Sequence, residues 1–94
     1  MPASSEQAIT QVITLDGDLH ARPAGQLAVA AAKFTADISL TAGDKTANAK
    51  SVLAVMGLGA TSGQSVTAAA VGPDAEQAVA AVVAILADAT KVGG

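Results

Sequence analysis

The chain has 94 residues, 51% of them apolar, with a net charge of −3 and no cysteine. One domain is expected at this length, and its core is too small to enclose a substrate; disulfide scaffolds, thiolate zinc sites, thiol nucleophiles and iron–sulfur clusters are excluded for want of cysteine. Five Lys and Arg against eight Asp and Glu, with Phe34 the only aromatic residue, leave neither the basic patch nor the stacking platform of a nucleic-acid binder.

Met1 to Gln7 is polar, lacks a basic stretch followed by an apolar one, and reads as a flexible tail before a single domain over residues 8–91. Ile9 to Leu15 is rich in β-branched residues and alternates, with Ile9, Gln11, Ile13 and Leu15 on one side, so a strand is predicted. Asp16-Gly17-Asp18 is a turn. Ala21 to Lys33 reads as a helix: Pro23 falls in the first turn, where its missing N–H costs nothing, and Ala24, Leu27, Ala28 and Ala31 recur at helical spacing. Asp37 to Thr41 alternates with Ile38 and Leu40 inward, Ala42-Gly43-Asp44 turns the chain, and Lys45 to Ala49 returns as the second strand of a hairpin. Ser51 is a good N-cap for a short helix from Val52 to Met56, stopped by Gly57 and Gly59. Ser65 to Val71 is a further strand with Val66, Ala68 and Ala70 on one face. Asp74 is expected to cap the last helix with Gln77 as its capping-box partner, and Val79, Val82, Val83 and Leu86 form that helix's inward stripe. The longest apolar run, Ala78 to Ala87, is ten residues, where a membrane span needs about 20. The order β-α-β-β-α-β-α predicts one antiparallel sheet with helices on one face.

His20 is the only histidine, and it lies where a turn becomes a helix. A lone histidine is more often structural or simply exposed than chemical. Its neighbours alter that balance. At a helix start the free N–H groups of Ala21 and Arg22 and the helix dipole favour an anion, and the Arg22 guanidinium adds a fork of donors suited to phosphate. Both the dipole and Arg22 disfavour imidazolium, and a neutral imidazole is a nucleophile. Such a site accepts a phosphoryl group and hands it on. Two weaker patterns carry no chemistry. Gly57, Gly59 and Gly63 do not space as a dinucleotide fingerprint, and Gly43 to Thr46 lacks the spacing of a P-loop. With one histidine, the scattered carboxylates form no metal cluster and read as solvated surface.

Leu19-His20-Ala21-Arg22-Pro23-Ala24 resembles the active-site segment of the HPr family, the histidine-containing phosphocarriers of the bacterial phosphoenolpyruvate-dependent sugar phosphotransferase system. The resemblance extends over about residues 8 to 90. Lys33-Phe34 with Asp37-Ile38, Gly43 to Asn48, Lys50 to Gly59 and Gly72 to Ala75 are each similar to a family segment, in the family's order. It implies an α+β fold, an open-faced β-sandwich in which a four-stranded antiparallel sheet lies under three helices. It implies that His20 takes a phosphoryl group on Nδ1 from phospho-enzyme I and donates it to the IIA domain of a sugar permease, with Arg22 steadying the group. The protein is then a monomeric cytoplasmic relay with no cofactor, no metal and no membrane insertion, and it is no turnover enzyme.

Ser51 carries two compatible roles, a helix cap and, by the resemblance, the site modified by an HPr kinase/phosphorylase. Val52, Leu53 and Met56 are divided between core and an apolar patch that docks enzyme I and IIA; nothing in the sequence decides which. Asp18 departs from the family, which usually has glycine just before the Leu-His pair. Its charge opposes phosphoryl transfer unless it is directed away. Gly57 replaces a residue that is often serine, and Gly25 weakens the first helix by up to about 1 kcal/mol. The outer face of that helix, with Gln26, Val29, Ala30 and Ala32, lacks lysines and favours apolar docking. Two other readings compete: a carrier serving a nitrogen-related or dihydroxyacetone-kinase branch, and a regulatory binding module in which Ser51 and the apolar patch act while His20 is vestigial.

Overall fold

The computed structural model describes residues 8–19 and 21–89. The expected tail, His20, and Thr90 and Lys91 at the end of the expected domain lie outside the described residues. The elements follow in the order β1 (Ile9–Thr14), α1 (Ala21–Ala31), β2 (Asp37–Ala42), β3 (Lys45–Asn48), α2 (Val52–Gly57), β4 (Ser65–Val71) and α3 (Ala75–Ala89). All seven were legible in the sequence, with ends that move by a residue or two.

The strands form one antiparallel sheet in the order β1-β4-β2-β3. Its two central strands alternate cleanly. Ile38, Leu40 and Ala42 of β2 and Val66, Ala68 and Ala70 of β4 are all buried on the inner face. Period-two alternation thus aims one complete set of apolar side chains at the helices. β1 is an edge strand, and its inner set is weaker: Ile9 and Ile13 are half-buried and Gln11 is exposed. Leu15, just beyond the strand, completes its anchoring in the core. The β2–β3 hairpin turns on two residues, Gly43 and Asp44. Gly43 has φ +63°, as a tight hairpin turn with glycine in its first central position requires.

The helices pack on one face of the sheet. α3 lies over β1, β4 and β2, α2 over β3, and α1 rests on both α2 and α3. α1 buries Pro23, Ala24, Leu27, Ala28 and Ala31, the predicted stripe with the proline added. The chain goes on from Ala31 through Lys33 as turns rather than regular helix. α3 buries Ala75, Ala78, Val79, Val82 and Leu86, while Val83 is only half-buried at the core's rim. α2 continues through Gly57; its stop is Gly59, at φ +63°.

Asp74 stands at the start of α3 as expected, its carbonyl accepting the Ala78 N–H at 2.9 Å, but its side chain is engaged elsewhere. Its two carboxylate oxygens reach across the molecule and accept the N–H groups of Thr35 and Ala36, both at 2.8 Å. The capping-box reading with Gln77 is therefore corrected: Asp74 ties the start of α3 to the loop between α1 and β2. The reason is close packing at that point. Gly72 has φ +142° and runs so near Ala36 that a Cβ on it would lie 2.8 Å from the Ala36 Cα. The loop is fastened again by Lys50, whose Nζ donates to the Phe34 carbonyl at 2.8 Å. The Thr35 N–H above all, then those of Ala36 and Asp74 itself and the Lys50 charge, hold the Asp74 carboxyl below the ordinary carboxylate range against the cost of desolvation.

Candidate functional site

α1 begins at Ala21, directly after the sequence position of His20. Ala21 and Arg22 are both exposed in its first turn, and that turn holds no acidic residue. N–H groups of a first turn have no intrahelical acceptor, so they and the positive end of the dipole are open to an anion. Pro23 is buried in the same turn, where its ring fixes the direction in which α1 sets out. His20 itself, the central residue of the sequence reading, lies outside the described residues. The residues on both sides of it are held: Leu19 is buried and its N–H donates to the Ala60 carbonyl at 2.9 Å, and Ala24 is buried in the core.

Arg22 also heads a shallow groove of about 600 Å³ along the outer side of α1. Gly25, Gln26 and Val29 form its α1 wall, Lys33 closes the far end and Ile85 of α3 faces them. Val29 is 66% exposed. This outer face is apolar between two cations, as the scarcity of lysines in the sequence implied.

Ser51 is the N-cap of α2, with extended backbone (φ −109°, ψ 112°) and an Oγ that accepts the Ala54 N–H at 3.2 Å. A cap of this kind contributes about 1 kcal/mol. The ambiguity over Val52, Leu53 and Met56 resolves in one direction: all three are on the surface, Leu53 most of all at 81% exposed. The core contact of α2 is made by Val55, fully buried, a residue that sequence reasoning did not single out. Its place three residues from Val52 and one from Met56 gave a helical alternative to the residues chosen, but a helix of six residues holds too little periodicity to decide between them.

Asp18, expected only as a charge beside the site, makes a contact that the sequence did not announce. Asp18 is exposed, yet its Oδ1 accepts the Ser62 N–H at 2.9 Å. Among the described residues no non-glycine residue has positive φ, so Asp18 stands where the family usually has glycine without adopting a left-handed backbone. The contact joins residues 44 positions apart, which no local pattern announces.

The family model described as the phosphorylation site of the PTS HPr component matches residues 8–88. The Phosphocarrier protein HPr of Mycoplasma capricolum is 39% identical over 83 residues, 88% of this chain and 93% of its own length. That of Vibrio cholerae is 43% identical over 74 residues, covering 79% and 87% of the two chains. The solved structure of the histidine-containing phosphocarrier protein of a mycoplasma superposes with a TM-score of 0.79 at 36% identity, covering 94% of this chain and all of that one. With its sheet order, its three helices and its Leu-His-Ala-Arg-Pro segment at the head of α1, the chain belongs to the HPr family of phosphotransferase-system phosphocarriers.

Proposed function

We propose that His20 is the residue that carries the phosphoryl group, taking it from phospho-enzyme I and passing it to IIA domains of sugar permeases. The observation that supports this most is the Leu19-to-Pro23 segment opening a helix whose first two residues are exposed and whose first turn is free of acid. On acceptance a bond forms between a nitrogen of the His20 imidazole and phosphorus as the donor's bond to phosphorus breaks, its electron pair staying with the donor. On donation the acceptor's nucleophile bonds to phosphorus as the His20 N–P bond breaks, and that pair returns to the imidazole. The Ala21 and Arg22 N–H groups meet the phosphoryl oxygens, and the guanidinium neutralises their charge. The group is held and not hydrolysed, so the protein is a relay rather than a turnover enzyme.

Val52, Leu53 and Met56 form the docking patch for both partners. An exposed apolar surface on a short capped helix suits a protein that meets more than one partner. Ser51 is the regulatory site for an HPr kinase/phosphorylase. A phosphate there sits at a helix start, where negative charge is tolerated, so its effect falls on the neighbouring patch rather than on the fold. Residues 8–91 act as one domain and a monomer in the cytoplasm; among the described residues no helix is long and apolar enough to cross a membrane.

The test is incubation with phosphoenolpyruvate, magnesium and enzyme I, followed by intact mass. The protein gains one phosphoryl group and the His20→Ala variant, folded to the same melting temperature, gains none. Persistent labelling of that variant refutes the assignment.

A further inference from the structure

The segment between β1 and α1, residues 15–19, is stitched along its length to residues 60–64, the connection from α2 to β4. Leu15 N–H donates to the Gln64 carbonyl at 3.0 Å, Gly63 N–H to the Leu15 carbonyl at 2.9 Å, and Leu19 N–H to the Ala60 carbonyl at 2.9 Å. Ser62 Oγ donates to the Asp16 carbonyl at 3.2 Å. Asp18 makes the remaining contact, accepting the Ser62 N–H. Backbone contacts of this sort are open to many sequences. The Asp18 carboxylate is the one side chain of residues 15–19 that takes part, and it stands two residues before His20. Leu15 and Leu19 fix the two ends in the core, whereas Asp18 is exposed, so burial gives no reason for its position.

We propose that Asp18 is a positioning residue for phosphoryl transfer: its carboxylate latches the segment entering α1 to the Ser62 turn and so sets the direction from which the chain reaches residue 20. The inference rests on the reading of His20 as phosphoryl carrier. It also accounts for a carboxylate beside an anion site. The Oδ1 atom is engaged by an N–H on the 60–64 side, and what Asp18 supplies is an acceptor rather than a charge. A glycine here leaves the Ser62 N–H to water and the segment to its backbone contacts alone.

Asparagine keeps the acceptor and removes the charge; alanine removes both. The latch predicts that Asp18→Ala slows single-turnover phosphoryl acceptance about fivefold with the KM for enzyme I unchanged, while Asp18→Asn stays within about twofold of the parent, the ratio being that of one hydrogen bond. It predicts as well that amide exchange at Leu19 quickens by a similar factor in Asp18→Ala but not in Asp18→Asn, with α3 unaffected in both. Equal rates in the parent and Asp18→Ala, or equal slowing or equal acceleration in the two variants, overturn the latch. A parent protein that takes no phosphoryl group overturns the His20 reading and the positioning role together, whereas a labelled parent with an indifferent Asp18→Ala removes the latch alone.

Discussion

Arg22 is exposed at the first turn of α1 and makes the strongest demand on a single side chain, since it must meet a doubly charged group that arrives and leaves. A guanidinium offers paired donors in one plane, which lysine does not reproduce. Arg22→Ala is therefore expected to slow phosphoryl acceptance about 100- to 1,000-fold, the usual loss when one preorganised donor is taken from a reacting group. Because the side chain is at the surface, unfolding stability stays within about 0.5 kcal/mol of the parent. Rapid-quench labelling with enzyme I in excess reads the first and urea titration the second; an unchanged rate removes Arg22 from the site. Residue chemistry of this kind was legible in the sequence because it depends on neighbours in the chain: His20, Ala21 and Arg22 are consecutive. Asp18 and Asp74 were not, because their acceptor atoms serve N–H groups 44 and 38 or 39 positions away.

At the scale of elements, α2 shows what a short helix does with few residues. Val55, with Ala54 beside it and Leu58 just beyond the helix, fixes it to the core, so Val52, Leu53 and Met56 are free to face outward. Leu53→Glu is expected to raise the KM for enzyme I tenfold or more, in the range of a central interface residue, with the melting temperature unchanged. A KM equal to the parent's places the docking surface elsewhere. α3 carries a different prediction. The folded Asp74 carboxyl titrates below its unfolded value, so its contribution to stability is complete above the ordinary carboxylate range and is lost as the pH falls through the lowered folded value. Asp74→Asn is accordingly less stable than the parent at neutral pH, and the gap narrows on acidification through that window. Urea midpoints measured from neutral pH downward check it; a gap independent of pH shows that the contacts to Thr35 and Ala36 do not depend on the charge.

The whole molecule was legible where a pattern repeats. Strand alternation in β2 and β4, and the 3.6-residue stripes of α1 and α3, gave the inner face of the sheet and the side of each helix that covers it. Sheet order, β1-β4-β2-β3, needed more than period, and so did the stitching of residues 15–19 to 60–64, which follows from how β1 lies beside β4. The central claim, that one imidazole carries the phosphoryl group, has a clean test in the composition. The chain holds a single histidine, so its ring nitrogens give one set of nitrogen-15 signals. After labelling by phosphoenolpyruvate and enzyme I, the account predicts that the Nδ1 signal moves and couples to phosphorus, and that acid restores the original spectrum. An added phosphate that survives acid and leaves the imidazole signals where they were contradicts it.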